Sequence, residues 1–269
     1  SIDGGIIVGT SVNLAFSGAL AVVTVNDSTD NKVYTAIHLA DADVTASTGT
    51  DTFGLHGQLA IDYYHSNSVA AGTPNRLDWT TAFADGELFD PGAALPTPVD
   101  LTIDFTSDMH YRVGGSVSGT GQVGEADTTP TTPGDPTDNA FLTAGDVQVT
   151  GKAEFAVSKW DRDLGTLTGA TLNSYAFNVN GGLTVGTSVN LAFSGSLAVA
   201  TVNDSTDTKI YTAIKLADVD VTANAGTDTF GLTGGLTIDY YHSNSAAANY
   251  ERLDWTTAFA DGELFDPGA

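Results

Sequence analysis

Residues 10–18 read Thr-Ser-Val-Asn-Leu-Ala-Phe-Ser-Gly, and the same nine letters recur at residues 187–195. Within the stretch, Val12, Leu14 and Phe16 alternate with polar or small residues. Alternation with a period of two is typical of a β-strand that buries one face. The stretch therefore predicts β structure, and it shows that the segment around it is duplicated.

The duplication extends well beyond these residues. Gly4-Gly5 returns as Gly181-Gly182, residues 61–68 return as 238–245, and residues 76–93 return letter for letter as 252–269. Two near-copies, 4–93 and 181–269, thus flank a stretch at 94–180 that occurs once. A repeat cut in the middle of its period suggests a piece of a longer array, or one link of a polymer.

The same alternation recurs along the chain, with turn signals between the runs. The alternating apolar residues are Val12, Leu14, Phe16, Leu20 and Val22; Val33, Ile37 and Leu39; Phe53, Leu55, Leu59, Ile61 and Tyr63; Val99, Leu101, Ile103 and Phe105; and Val147, Val149, Phe155 and Val157. Helix-forming residues are scarce. We therefore expect an all-β fold of two antiparallel β-sandwich units in tandem, of jelly-roll or immunoglobulin-like type.

A Pro/Thr/Asp-rich stretch at 125–139 predicts the boundary between the units, because its prolines favour an extended path outside any central strand. The first unit is then 1–124 and lacks N-terminal strands, while the second is 140–269 and lacks C-terminal strands. Incomplete sheets expose unpaired backbone groups. We expect these gaps to be filled by continuation of the chain or by strands of a neighbouring chain.

One short helical turn is predicted at 77–89, with Asp78 as its cap and with Trp79 and Phe83 four residues apart. The same letters recur around Trp255. We expect this aromatic cluster to close one end of each sandwich.

The charge is strongly acidic, with a formal net charge of −24 from 33 acidic and 9 basic residues. Such a field repels phosphate backbones and anionic lipid surfaces, so nucleic-acid binding is excluded as a leading function. The chain has no cysteine, which excludes disulfides and thiolate metal sites. No signal peptide or membrane-spanning stretch is visible.

No catalytic motif competes with the repeat as a clue to function. The chain has no Gly-x-Ser-x-Gly elbow, no P-loop and no His-Glu-x-x-His. His38 and His56 are replaced by Lys215 and Thr233 in the second copy, and only His65 is kept, as His242. The sequence therefore predicts structural histidines and a protein that is not an enzyme.

Calcium is the candidate cofactor, because hard cations bind closely spaced carboxylate oxygens. Several Asp residues lie near one another and recur in both copies, although alternating Asp-x-Asp pairs also occur on the wet faces of strands. The candidate ligands are Asp27, Asp30, Asp41, Asp43, Asp161, Asp163, Asp204, Asp207, Asp218 and Asp220.

The stretch 155–172, which includes the run Leu164-Gly165-Thr166-Leu167-Thr168-Gly169, resembles the opening of the choice-of-anchor E domain. Residues 87–92 and the Gly/Ser-rich 114–121 resemble later parts of that family's pattern. One family unit would run from 146 through 269 and continue with the equivalent of 94–124. The resemblance implies an exported bacterial or archaeal surface protein with a β-sandwich fold and no known enzymatic role.

The leading hypothesis is a structural subunit of an extracellular filament, sheath or matrix fibre, whose partners are copies of itself. It joins head to tail through complementary strands, or it is a window of a longer tandem-repeat chain. The residues predicted to carry assembly are Val99, Leu101, Ile103, Phe105, Phe155, Val157, Leu164, Leu167 and Leu172.

The alternative is a cell-surface adhesin or carbohydrate-binding stalk, with a glycan stacked on Tyr63, Tyr64, Trp79 and Trp160. That reading requires these rings to be exposed. A third hypothesis, a glycan-active enzyme, requires a cleft with convergent carboxylates.

Overall fold

The structure, a computed structural model, describes residues 1–8, 12–28, 31–48, 53–67, 69–70, 73–74, 76–83, 87–119, 140–144, 147–164, 167–185, 189–204, 209–225, 230–244 and 252–255. These residues form β-strands, connecting segments and one short 3-10 helix at Pro91–Ala94. The strands are β1 (Ile2–Val8), β2 (Val12–Asp27), β3 (Lys32–Thr48), β4 (Gly54–Ser66), β5 (Val69–Ala70), β6 (Thr73–Pro74), β7 (Met109–Gly119), β8 (Ala140–Ala144), β9 (Val147–Leu164), β10 (Leu167–Val185), β11 (Val189–Asn203), β12 (Ile210–Ala225) and β13 (Phe230–Ser243). Among them, no helix has the length and apolar character to cross a membrane.

One antiparallel sheet contains all of the long strands. Its order is β1-β2-β3-β4-β7-β9-β10-β11-β12-β13. β8 also pairs with β9 and lies in line with β7, because Leu142 bridges Phe53 just before β4. β5 and β6 form a separate two-stranded hairpin.

The repeat is visible in the strand pairing. β2, β3 and β4 correspond to β11, β12 and β13, and β1 corresponds to the second half of β10. Ile2 pairs with Gly18, and its counterpart Val179 pairs with Gly195. The two copies therefore follow each other within a single sheet, separated by β7 and β9.

Both copies carry a bulge at the same place. The pairing of β2 with β3 shifts between Ser17 and Ala19, and that of β11 with β12 shifts between Ser194 and Ser196. Asp218, in the second bulge, has a left-handed backbone with φ of 52°. Extra residues of this kind bend a strand and reverse the alternation of its side chains.

One side of the first copy is covered by the long connection between β4 and β7. Trp79, Ile103 and Phe105 from this connection are fully buried against Ala36 of β3 and Tyr64 of β4. A smaller cluster forms in the second copy around Leu172, Val202 and Tyr211, with Leu253 and Trp255 packed against it. We call this side of the sheet the covered face.

The other side carries apolar side chains in three neighbouring cross-strand rows, which we call the apolar face. The rows are Leu20, Leu39, Ile61, Val113, Val157, Tyr175, Val199, Ile214 and Tyr240; Ala42, Leu59, Gly115, Phe155, Phe177, Leu197, Leu216 and Ile238; and Phe16, Val44, Gly57, Val117, Ala153, Val179 and Gly195. Leu20 is 56% exposed, Phe177 44% and Tyr240 51%.

The antiparallel all-β class predicted from the alternation is confirmed. Two sandwiches in tandem are not confirmed, because the strands of both copies belong to one sheet. The helical turn at 77–89 is wrong in the described part of that stretch, where residues 79–81 form an isolated turn and Trp79 lies under the sheet face. The predicted linker at 125–139 lies outside the described residues.

A strand at 99–105 is also wrong, although the predicted burial of its apolar side chains is right. Leu101, Ile103 and Phe105 are buried, while Asp100 and Asp104 are exposed. Only Ile103 makes a β-bridge, to Phe89. The backbone of this segment binds a side chain of the same connection instead of a strand: the N–H of Leu101 donates to Asp90 Oδ1 at 3.0 Å.

Candidate assembly surface

The junction between the two copies is a pair of strands shared by both. β7 pairs with β4 of the first copy on one side and with β9, which leads into the second copy, on the other. Val113 lies opposite both Ile61 and Val157. The junction is therefore made by backbone ladders with apolar side chains between them, which is how one repeat is added to the next.

An ion-pair cluster fastens the covering connection to this junction. Arg76 Nη1 donates to Asp161 Oδ2 at 2.7 Å, and His110 Nε2 lies 2.8 Å from Asp161 Oδ1. Burial raises the pKa of the Asp161 carboxyl, but the hydrogen bonds from His110 and Arg76 outweigh it and lower that pKa to about 2. Asp161 is therefore a charged link between β9 and the first copy.

The counterpart of Arg76 in the second copy has a different environment. Arg252 is exposed, and its guanidinium lies 5.6 Å from the centre of the Tyr241 ring. Tyr241 in turn donates its hydroxyl to the Leu253 carbonyl at 2.8 Å. The repeated residues thus form a similar aromatic cluster in both copies of the repeat. The salt bridge to Asp161 is made by the arginine of the first copy.

A second charged row crosses the covered face between β3, β4 and β7. Asp62 Oδ1 lies 2.5 Å from His38 Nδ1, and Arg112 Nε donates to Asp62 Oδ2 at 2.7 Å. The hydrogen bond that the His38 ring donates to the Asp62 carboxylate is the main cause of a raised pKa for His38. Burial raises the pKa of Asp62, while its bonds to His38 and Arg112 lower it, and the net direction is down.

On the side of the sheet that carries the apolar face, three glycines lie under aromatic rings of the neighbouring strand. Gly4 faces Phe16, Gly181 faces Phe193 and Gly115 faces Phe155. A Cβ built on Gly181 would lie 2.6 Å from the Phe193 ring, and one on Gly115 would lie 2.8 Å from the Phe155 ring. The glycines therefore let the rings lie flat across the sheet.

The sheet has two outer edges in the part of the chain that the structure describes. β1 pairs with β2 alone, and β13 pairs with β12 alone. Ten antiparallel strands follow one another along the sheet, so β1 and β13 run in opposite directions. A second copy placed beside β13 by translation would therefore present its β1 antiparallel to β13, which is the geometry of a normal ladder.

The predicted assembly residues divide between two settings. Leu101, Ile103 and Phe105 are buried in the core of the first copy, and Val99 packs against it. Leu172 is buried and Leu167 half-buried in the second cluster. Phe155 and Val157 belong to the apolar face, and Leu164 ends β9. The sequence missed the apolar face itself, because alternation does not say which face of a sheet is covered.

The calcium candidates are not brought together among the described residues, where no group of three His, Asp or Glu side chains could hold a metal ion. Asp43 pairs with His56 at 3.0 Å, and Asp161 is held by Arg76 and His110. Asp27 ends β2, Asp204 is buried, Asp218 lies in a bulge and Asp220 pairs with Ser194 across the sheet. Asp30 and Asp207, and the side chains of Asp41 and Asp163, lie outside the described parts.

The aromatic rings proposed to bind a glycan are mostly covered. Tyr64 and Trp79 are buried, and Trp160 is half-buried and donates its indole N–H to Ser158 Oγ at 2.8 Å. Tyr63 is exposed. Rings that are inside the core cannot stack on a sugar.

An open groove of about 670 Å³ crosses five strands, β4, β7, β9, β10 and β11. Its lining includes Gln58, Ser116, Glu154 and Asn178, which are paired across the strands. Asn178 Nδ2 donates to Glu154 Oε2 at 3.2 Å, and Lys152 forms an ion pair with Glu154. These polar groups already bind one another.

Comparison of the chain with protein-family models, with curated proteins and with solved structures gives no match.

Proposed function

We propose that this protein is a structural subunit of an extracellular filament, sheath or matrix fibre, which joins copies of itself head to tail by pairing edge strands. The proposal assigns it no catalytic role. The observation that carries it is the single antiparallel sheet running unbroken through both copies of the repeat. Edge strands of neighbouring molecules would then pair as β7 and β9 pair within one molecule.

Equivalent surfaces support repetition without closure. Near-identical strands present near-identical contacts, so a head-to-tail contact between copies generates an open array rather than a ring, provided that the rotation between them does not close. Opposite directions of β1 and β13 make the ladder between copies antiparallel. The sheet twist would wind the array into a helical ribbon. Continuous hydrogen bonds across the strands would then carry tension along the fibre.

The extracellular location rests on the resemblance to the choice-of-anchor E domain, and it stays a prediction. The sandwich predicted from the sequence is part of the same proposal: a sheet with an exposed apolar face becomes a sandwich when a second sheet covers that face. Each repeat would then be completed by strands of another repeat or another subunit.

Electron microscopy of the purified chain tests the proposal. With strands about 4.8 Å apart, ten strands per molecule give an axial repeat of about 48 Å. Filaments with this spacing support head-to-tail pairing. Particles that stay discrete under all solution conditions contradict it.

Proline substitutions in β1 make the test specific to the edge. Of the adjacent residues Ile6 and Ile7, one directs its N–H towards β2 and the other directs it out of the sheet. One of the two variants, Ile6→Pro or Ile7→Pro, should abolish filaments while keeping the wild-type melting temperature, and the other should destabilise β1. Ile6→Thr and Ile7→Thr keep the N–H and serve as matched controls. Filaments of normal length from both proline variants would contradict edge pairing.

A carbohydrate-binding stalk is the second candidate, and the open groove favours it, since its amide, hydroxyl and carboxylate groups can exchange the hydrogen bonds that they make with one another for hydrogen bonds to sugar hydroxyls. Glycan-array binding that is lost in Asn178→Ala and kept in Asn180→Ala would support this function. Absence of any glycan binding would rule out this second candidate function.

A further inference from the structure

We infer that the apolar face binds the same face of a second copy of this chain, giving a two-layered sheet with the covered faces outside. The contact runs face to face and does not depend on the head-to-tail pairing of edges. It names a second partner surface for the assembly and explains how one extended sheet becomes a sandwich.

The side of the sheet that carries the apolar face is exposed to an unusual degree. By strand alternation, all of the exposed large apolar side chains in the described residues lie on it except Ile7, Leu88 and Phe89. A soluble monomer rarely leaves so large a continuous apolar patch uncovered.

The area of the apolar face matches that of a stable interface. The longest row of the apolar face crosses nine strands, and its neighbours lie about 6.8 Å away along the strands. With strands about 4.8 Å apart, three rows cover on the order of 800 Å². That is about the area each partner buries in a stable protein–protein interface.

The three rows of the apolar face carry no charged side chain. None of the residues in the three rows is ionisable apart from Tyr175 and Tyr240, although the chain carries a net charge of −24. The carboxylates of Asp62, Glu154 and Asp239 alternate with apolar-face residues along their strands and so point the other way. Two copies can thus meet along these rows without burying a carboxylate, and the carboxylates of Asp62, Glu154 and Asp239 stay on outer faces, beyond about one Debye length at physiological salt.

A second copy of the chain has a surface that matches the apolar face. The trio Leu20, Leu39 and Ile61 of the first repeat reappears as Leu197, Leu216 and Ile238 in the second. A two-fold axis near the junction strands β7 and β9 would set the first repeat of one molecule on the second repeat of its partner, and the reverse. The same patch then serves both molecules, as a two-fold interface requires.

Sedimentation and light scattering of the full chain measure the predicted pairing. We expect a mass of twice 27.6 kDa, or multiples of it, and tighter pairing as sodium chloride is raised, because salt screens the like charges and does not weaken apolar contact. Phe177→Glu should weaken pairing by about 100-fold, since it would bury an unpaired charge. Asn180→Glu adds the same charge on the covered side of β10 and should pair like the wild type, and Phe177→Leu should also pair. A monomer at every concentration and salt level overturns the inference, as does equal weakening by both glutamates.

Single cysteines locate the contact without changing its charge. The chain has no native cysteine, so one introduced thiol is labelled alone. Val179→Cys, on the apolar face, should react with a maleimide only after dilution to monomers, and Asn180→Cys should react at all concentrations. Equal reactivity of Val179→Cys in both states overturns the inference. So does its protection by neutral phosphatidylcholine vesicles together with monomeric protein, because that outcome assigns the face to lipid.

These results are separable from those on the edges. Loss of face pairing alone leaves single-layered filaments in the microscope, and loss of edge pairing alone leaves discrete two-layered particles.

Discussion

At the scale of single residues, close packing across strands depends on positions where no side chain is present. Gly181 lets the Phe193 ring cross its strand, and Gly4 does the same for Phe16 in the first copy. An aromatic ring over a glycine restores the cover that the glycine lacks. The repeated Gly-Gly pair is therefore explained by packing.

Gly181→Val should destabilise the fold, because its Cβ would enter the space of the Phe193 ring, at 2.6 Å, and approach the Thr150 carbonyl, at 3.2 Å. Overpacking of this kind costs about 1–3 kcal/mol. Gly234→Val is the matched control, since nothing lies within 4 Å of its Cβ. Urea unfolding of both variants measures the difference, and equal midpoints would show that the ring moves aside freely.

Asp161→Asn should lower the free energy of unfolding at neutral pH by at least about 2 kcal/mol, which follows from a shift of the pKa from 3.8 to about 2. A lowered pKa stabilises the folded state fully above pH 3.8, and this contribution is lost as the pH falls towards 2. The gap between wild type and variant should therefore close in strong acid. Asp3→Asn, on exposed β1, is the control and should show little change. A gap that does not vary with pH would assign the loss to packing.

At the scale of elements, alternation identified most strands and the side chains that share a face. Phe16, Leu20 and Val22 do lie on one face of β2, and Leu59, Ile61 and Tyr63 do so on β4. Which face is covered was not predictable, because the cover comes from the connection between β4 and β7. Backbone N–H groups of this connection donate to loop side chains such as that of Asp90 rather than to another strand. Its residues therefore alternate like those of a strand but do not pair in a sheet.

The candidate site was predictable only in part for a related reason. The repeat and the junction residues Phe155 and Val157 could be read from the sequence. The Asp161 cluster could not, because Arg76 and Asp161 are brought together by strand order rather than by spacing. A calcium site at Asp161 was expected from the same carboxyl that the structure pairs with two cationic side chains.

The hydrogen-bonded row of His38, Asp62 and Arg112 connects three strands, and its contribution to stability should depend on pH. The NMR titration midpoint of His38 should lie above 6.5, and Asp62→Asn should lower it. Asp104 contributes less to the raised pKa of His38, so Asp104→Asn should lower the titration midpoint less. Because the folded pKa is raised, this contribution to stability is complete below pH 6.5 and is lost as the pH rises through the folded pKa. A midpoint unaffected by Asp62→Asn would contradict the assigned bond.

At the scale of the whole molecule, one sheet joins the two copies, so they should unfold together. Hydrogen exchange should give similar opening free energies for β2–β4 and β11–β13. Val113→Pro removes a ladder hydrogen bond where β7 meets β4 and β9, and it should separate unfolding into two transitions. Val113→Thr keeps the ladder and should retain one transition. Two transitions in the wild type would indicate independent units.

β3 and β12 each carry a bulge, and in each strand the parity of the residues that face the apolar side changes there. Ahead of it, odd-numbered Ile37 and Leu39 face the apolar side, and after it even-numbered Ala42 and Val44 do so. Loss of a single codon just after the bulge, at Ala42 or Val219, would therefore turn the rest of the strand inside out and place the carboxylate of Asp43 or Asp220 among the apolar rows. In such a gene, the loss of one residue is a heavier mutation than most substitutions, and the repeat can lengthen safely only by whole copies.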